Sequence, residues 1–397
     1  MKKKILFYCQ YHLGMGHLVR SLEILRSLAK DFQVCFVKAG WEVEGFEAPT
    51  GVQVVTLPLL LSENRQVKVA DSSQDLEEVK QIRINKLLQV FEEFQPDCLI
   101  TEGYPFNKHQ FEFEAIPLLE RIKATGRKTK VVSSLRDIVM AKHYDNREAV
   151  TDKICNLMNQ YFDLLLVHSD PKFHNLAESF SRIKEIQSLI KYTGYVAQSP
   201  SENPLLTDED LATLNLNKPT ILVTIGGGQL GHELLESILE ASPFISKSLP
   251  HQIIAFAGPF FPAEKFLKLQ ETAANQTNLT LRKYTANLIP YMEKAELSIS
   301  LCGYNTTMNI LRTGVNSMIF PSNKDWEQKI RAEKLEKLGL TEIIHPGDLN
   351  PESLSQKIIA NLNKRGFVNT CEPIELQGAQ KTSSLLQEFL ENAVVAV

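Results

Sequence analysis

Short apolar runs alternate with amphipathic stretches along the first half of the chain. Runs at 4–10, 33–38, 52–57, 97–101, 130–134, 163–168 and 191–195 read as strands. Between them, apolar positions three and four apart predict helices at 17–30, 75–94, 110–124 and 146–160. Asp31, Gln95-Pro96 and Gly126 punctuate the ends. Runs such as CLIT (98–101) and LLLVH (164–168) are apolar on both faces. That is the pattern of a parallel sheet covered by helices on both sides.

Residues 198–218 break this rhythm. They are polar, carry two prolines, and read as an interdomain linker with one short helix. The alternation then restarts. Strands are predicted at 219–224, 252–257, 278–282, 296–301, 316–320 and near 342–344. Helices are predicted at 231–240, 263–274, 305–312, 325–337 and 351–362, with a last amphipathic helix at about 379–392. The expected architecture is α/β: two doubly wound, Rossmann-like domains, 1–197 and 219–365, facing each other across a cleft, with a tail at 366–397. In open parallel sheets ligands bind beyond the carboxyl ends of strands, so the loops that follow strands come first for chemistry.

Composition narrows the functional classes. The 397 residues exceed what one hydrophobic core usually organises. The net charge of −4 argues against broad nucleic-acid binding. The six cysteines form no CxxC pair, and Cys9, Cys35 and Cys98 lie in strand-like runs; they read as buried thiols rather than metal ligands or disulfides. No metal site and no cofactor is expected. The apolar start is too short for a signal peptide, and no run approaches a membrane span, so a cytoplasmic location is expected.

Four loops carry candidate chemistry. Gly14-Met15-Gly16-His17 follows the first strand. A dinucleotide-binding reading fails because Val19 stands where a third glycine belongs, and no acid follows the second strand. Two readings remain level. His17 caps a tight turn, or it is a general base beside glycines that clear space for a ligand. Gly226-Gly227-Gly228-Gln229 follows the first strand of the second half and suits a diphosphate, against a plain left-handed turn. Gly303-Tyr304-Asn305-Thr306 opens a helix, and again an anion site competes with ordinary capping. Glu327 and Gln328 start another helix, as binders of sugar or ribose hydroxyls or as residues that complement the helix dipole. Asp208-Glu209-Asp210 has the DxD spelling of metal-dependent sugar transferases, but it follows Thr207 at a helix start, where capping explains it better. The stretch FAGPFFPAEKF (256–266) reads as a buried strand end and turn in preference to a membrane-touching loop.

Taken in order, these loops resemble glycosyltransferases of the GT-B fold. The resemblance rests on ILFYCQYHLGMGHLVR, LITEGYPF, SLRDI, LLLVHSDPKF, YTGYV, TIGGGQLG, AGPFFP, CGYNTTMNILRTG and EQKIRAEKL, and it covers most of the chain. The group most similar is the "predicted glycosyltransferase" family, related through its C-terminal half to the enzyme that adds N-acetylglucosamine to lipid I. The resemblance implies a nucleotide-sugar donor, commonly a UDP-sugar, on the C-terminal domain. It implies an acceptor on the N-terminal domain, to which the last helix returns. Gly14 and Gly16 would lie by the donor, with His17 near the anomeric centre. Gly226, Gly227, Gly228, Gln229, Gly303, Tyr304, Asn305 and Thr306 would line the diphosphate, and Glu327 and Gln328 the sugar or ribose. The family commonly has Glu where this chain has Asn309, a residue that holds the donor ribose; Asn309 keeps the hydrogen bonds without the charge.

The expected reaction is an inverting, metal-independent transfer of a sugar to a hydroxyl, on a small-molecule or lipid-linked acceptor. A lipid-linked acceptor would bring the protein to the inner membrane face. His17 is the expected base, with a pH–rate limb near the ordinary histidine pKa of ~6.5. Glu102 and Asp137, each near the end of a strand, are the candidates to orient it; His12 is the fallback base. Two rivals stand: a nucleotide-sugar hydrolase, which the loop from Gly14 to Arg20 fits equally well, and a non-catalytic sugar-nucleotide sensor, motivated by Asn309.

Overall fold

The computed structural model describes the chain except for Met1 and residues 12–13, 64–65, 127, 140–145, 200–205, 215–217, 364–372 and 396–397. His12 and parts of the expected linker and tail therefore lie outside the described residues. The chain divides into two compact units, Met1–Ala197 with Ile374–Val397, and Gln198–Pro373.

In the first unit the strands are β1 (Lys4–Tyr11), β2 (Gln33–Gly40), β3 (Gln53–Thr56), β4 (Leu60–Glu63), β5 (Gln66–Val69), β6 (Cys98–Glu102), β7 (Lys130–Leu135), β8 (Leu164–Val167) and β9 (Leu189–Tyr192). Seven of them form one parallel sheet in the order β3-β2-β1-β6-β7-β8-β9. Helices α1 (Gly16–Asp31), α2 (Leu76–Phe94), α3 (Glu112–Ala124), α4 (Arg147–Tyr161) and the short α5 (Leu176–Ser179) connect the strands. Central strands are buried on both faces, as their unbroken apolar runs require; β6 and β8 are buried at every residue. The pair β4–β5 is an antiparallel hairpin that the strand pattern does not announce.

The second unit holds β10 (Thr220–Thr224), β11 (Gln252–Phe256), β12 (Leu279–Arg282), β13 (Leu297–Leu301), β14 (Ser317–Phe320) and β15 (Glu342–Ile343). Their order, β12-β11-β10-β13-β14-β15, is again all parallel and reverses beside its first strand. The helices are α6 (Asp208–Leu214), α7 (His232–Ser248), α8 (Ala263–Ala274), α9 (Leu288–Lys294), α10 (Tyr304–Thr313), α11 (Trp326–Lys337) and α12 (Pro351–Asn363). Helix α7 outruns its predicted end at 240 and passes through Pro243. Ile245, fully buried two residues on, keeps the apolar face in the core and offsets the hydrogen bond that proline cannot make.

The last helix, α13 (Gly378–Val395), belongs to the first unit. It packs on α1, with Leu386 and Leu390 buried in the same cluster as Leu18, Leu22 and Leu25. Ser383 also donates a hydrogen bond of 2.7 Å to Asp31 at the end of α1. The FAGPFFPAEKF stretch forms the end of β11, a turn and the start of α8, with Phe256 and Phe261 each 2% exposed. Among the described residues no helix is long and apolar enough to cross a membrane.

Candidate active site

Each sheet reverses direction between two neighbouring parallel strands, β1 and β6 in the first unit and β10 and β13 in the second. The loops leaving such a pair diverge to opposite sides and open a crevice at the strands' carboxyl ends. Four of the candidate loops and residues stand at these two points.

In the first unit the chain turns from β1 into α1 through Gly14, at φ 76°. That left-handed geometry suits glycine. His17 is the second residue of α1, and Glu102 is the last residue of β6, the neighbour of β1. His17 Nδ1 lies 2.8 Å from Glu102 Oε1. An ionised carboxylate only accepts, so Nδ1–H donates and Nε2 carries the lone pair. Arg20, one turn along α1 from His17, donates to the same carboxylate oxygen. Burial works against the charge of Glu102, but His17, Arg20 and Lys108 outweigh it and hold the carboxyl well below its usual range. For His17 burial comes first, and Lys108 and Arg136 add to it; against the pull of Glu102 they lower the pKa to about 3. The imidazole is therefore neutral at neutral pH, and the limb expected near 6.5 moves down. Cys9, close by, is no thiolate nucleophile: burial, and then Glu102, push its thiol up to about 12.

Asp137, the alternative partner, is fully buried, and its Oδ1 accepts the N–H of Ile138. It follows β7, which pairs with the far side of β6. In that register Glu102 stands beside Ser134, so Asp137 lies three residues beyond the position that Glu102 faces. Behind the pair, His168 bridges three strand ends. Ser134 Oγ lies 2.7 Å from its Nε2, and Thr193 Oγ1 lies 2.9 Å from its Nδ1. Thr193 Oγ1 donates to the Gly194 carbonyl, so it accepts from Nδ1–H, and Nε2 accepts from Ser134. Burial and then Arg20 lower the His168 pKa to about 3, which keeps this chain neutral.

In the second unit the glycines divide by role. A Cβ on Gly228 would lie 2.6 Å from the Ala257 carbonyl oxygen and 2.7 Å from the Phe261 nitrogen. One on Gly258 would lie 2.4 Å from the Gly226 oxygen. These two let the loops after β10 and β11 touch backbone to backbone. Gly226 at φ 65° and Gly303, the N-cap of α10, face open space, where a Cβ would meet nothing within 4 Å. Gln229 is exposed, Gly227 and Asn305 half-buried, Thr306 likewise, and α10 has no side-chain cap at its N-terminus. Tyr304 instead turns into the interior, 5% exposed, under the guanidinium of Arg331, which donates 2.9 Å to the Cys302 carbonyl and holds the turn from behind. His232 pins the glycine loop from the start of α7: its Nε2 is 2.9 Å from the Gly228 oxygen and its ring stacks on Phe261. Neither Arg331 nor His232 follows a recognisable spacing in sequence.

The residues expected by the donor sugar or ribose are more occupied than their positions suggest. Asp325 caps α11 by accepting the N–H groups of Glu327 and Gln328. The Gln328 amide is buried, accepts from Ser322 N–H at 3.2 Å and donates to Asp325 at 3.0 Å. Glu327 is half-buried. Asn309 is 2% exposed; its amide donates 2.7 Å to Gln198, and its buried carbonyl oxygen has no hydrogen-bond partner among the described residues. Asp210 exchanges hydrogen bonds with Thr207 and binds Arg282 and Tyr291, so this acid is a cap and a strut.

Residues 220–383 match the model of the glycosyltransferase family 28 C-terminal domain. The chain is 23% identical over 365 residues to an uncharacterized glycosyltransferase of Methanosarcina mazei, covering 85% of each. It is 26% identical over 197 residues to the UDP-N-acetylglucosamine–N-acetylmuramyl-(pentapeptide) pyrophosphoryl-undecaprenol N-acetylglucosamine transferase of Thermosipho africanus, covering 49% of this chain and 52% of that one. Among solved structures, TcCGT1 in complex with UDP superposes with a TM-score of 0.66 at 13% identity, over 99% of this chain and 100% of that one. Its fold is shared.

Proposed function

We propose that this chain, a glycosyltransferase of the GT-B fold, moves a sugar from a nucleoside-diphosphate donor, of which a UDP-sugar fits best, to a hydroxyl acceptor with inversion. The observation that carries the reading is the His17–Glu102 pair at the crevice between β1 and β6. Glu102 fixes the tautomer, so Nε2 of a neutral imidazole is ready to take the acceptor's proton. The Arg20 charge beside Glu102 keeps that carboxylate ionised throughout. Attack of the hydroxyl on the anomeric carbon breaks the bond to the diphosphate in one displacement. The leaving diphosphate is received by backbone N–H groups of 226–228 and 303–306, at the open glycines and the uncapped start of α10. Glu327 and the unpaired carbonyl of Asn309 would accept donor hydroxyls. The relatives named as glycosyltransferases and the UDP-bound fold relative support the donor class.

The test is a thermal-shift screen of nucleoside diphosphates and their sugars, followed by turnover with and without added acceptors. A ligand bound only by the native state raises the melting point. UDP and a UDP-sugar should raise it. Absence of a shift with any nucleotide would remove the donor reading, and release of free sugar without acceptor would turn transfer into hydrolysis.

A further inference from the structure

A buried cation stands behind the turn that opens α10. Arg331, in the second turn of α11, is 0% exposed; its guanidinium donates 2.9 Å to the Cys302 carbonyl and lies 5.7 Å over the Tyr304 ring. It is held firmly. Gln328, Arg331, Ala332 and Leu335 form the buried side of α11, and Asp325 caps the start of that helix. Taking a guanidinium out of water is costly, whereas a buried carbonyl asks only for one neutral N–H. Holding Cys302 does not by itself account for a charge there.

The peptide between Cys302 and Gly303 shows what the charge reaches. It is trans. In a planar trans peptide the C=O and the N–H point in opposite directions. A donor that fixes the Cys302 carbonyl from the interior therefore aims the Gly303 N–H away from the interior. That N–H has no hydrogen-bond partner among the described residues. Gly303 has an ordinary backbone, φ −68° and ψ 150°, and a Cβ on it would meet nothing within 4 Å. Helix α10 brings neither a side-chain cap nor an acid in its first turn to this end. The carbonyl's bond to a cation also draws electron density across the amide, which makes the N–H on its far side a stronger donor.

We propose that Arg331 is a positioning residue for the donor's diphosphate: through the Cys302–Gly303 peptide it aims and strengthens the Gly303 N–H that receives a phosphate oxygen. The guanidinium acts from beneath the turn and does not touch the donor. This deepens the donor reading and rests on it for the diphosphate.

Cys302–Gly303 is the only Cys–Gly step in the chain. Cysteine labelled at its carbonyl carbon and glycine labelled at nitrogen thus give a single NMR cross-peak that reports this peptide. In the full-length wild-type protein UDP should move the Gly303 amide proton downfield, and uridine, which lacks the diphosphate, should not. Arg331→Gln should weaken UDP binding by about tenfold or more, the scale of one charge-assisted hydrogen bond, and leave uridine affinity unchanged. Arg331→Lys keeps a charged donor and should restore most of the UDP affinity. The proposal is overturned by a Gly303 cross-peak that bound UDP leaves in place, by equal UDP affinity in wild type and Arg331→Gln, or by a parallel loss of UDP and uridine affinity, the mark of a residue that only holds the fold. The first of these needs no variant, so it decides even if Arg331→Gln does not fold. UDP binding without a Gly303 response removes the role of Arg331 and leaves the donor reading standing. Wild-type protein that binds no nucleoside diphosphate removes the donor reading and this role with it.

Discussion

At the scale of single residues the site is governed by which nitrogen of His17 is free. Glu102 takes Nδ1–H, so Nε2 is the nitrogen left for the proposed base. Replacing His17 by Ala should leave a folded protein that binds donor and loses turnover by roughly 10²–10⁴-fold. Glu102→Gln keeps a hydrogen-bond acceptor but not the charge that stabilises the imidazolium, so its turnover should fall while donor affinity holds. Because the His17 pKa is lowered to about 3, kcat/KM should stay flat through pH 6.5 on the acid side and fall only well below it. A limb at 6.5 in a pH–rate profile would assign the base elsewhere. The same shift bears on stability. His17 and His168 are both held neutral, with pKa values near 3 against ~6.5 unfolded. As pH falls through that window the unfolded chain binds protons that the native state refuses, so stability is lost from about pH 6 downward. The slope is ~1.4 kcal/mol per pH unit for each histidine. Glu102, depressed in the native state, adds its loss at the acid end. Urea melts from pH 7 to 4 should show this fall, and His168→Gln should reduce its slope by about half, whatever it does to the absolute stability.

At the scale of elements, the strand-end loops were legible in sequence because their location follows from the apolar runs themselves. Which loops meet was not. Glu102 and Asp137 look equivalent in the chain, and only the strand order, with β6 next to β1, separates them. The glycines of the second unit were legible as a cluster but not by role. Gly228 and Gly258 serve loop contact, whereas Gly303 has an ordinary backbone at φ −68° and open space around it. Gly303→Val should therefore fold with a stability change below about 1 kcal/mol, the scale of a lost N-cap preference. It should nevertheless weaken UDP binding tenfold or more by filling the approach to the N-terminus of α10. Gly228→Ala, with backbone atoms inside 2.7 Å of the new carbon, should destabilise the second unit strongly. Calorimetry of both variants beside UDP titration separates the two roles; equal UDP affinity in Gly303→Val would move the diphosphate away from this turn.

At the scale of the molecule, the two sheets repeat one design. Each is parallel, each reverses beside its first strand, and each places glycine-rich turns at that reversal. This much was readable because parallel strands buried on both faces leave an unbroken apolar run. The hairpin β4–β5 was not, nor was α9, which carries Pro290 in its first turn. The chain's last helix closes the first unit rather than the second. Its Leu386 and Leu390 lie 0% and 4% exposed against α1, the helix that carries His17 and Arg20. Two leucines buried to that degree contribute about 3–6 kcal/mol, a large share of the ~5–15 kcal/mol that holds a domain together. Removing α13 by ending the chain at Ile374 should thus loosen the first unit and release α1. The second unit has its own core, so it should keep its fold and the loops proposed to bind the donor. The expected outcome is two separated melting transitions, the earlier one from the first unit, with UDP still raising the later one. A single cooperative transition unchanged from the full-length protein would mean that α13 is dispensable and that α1 is held by its sheet alone.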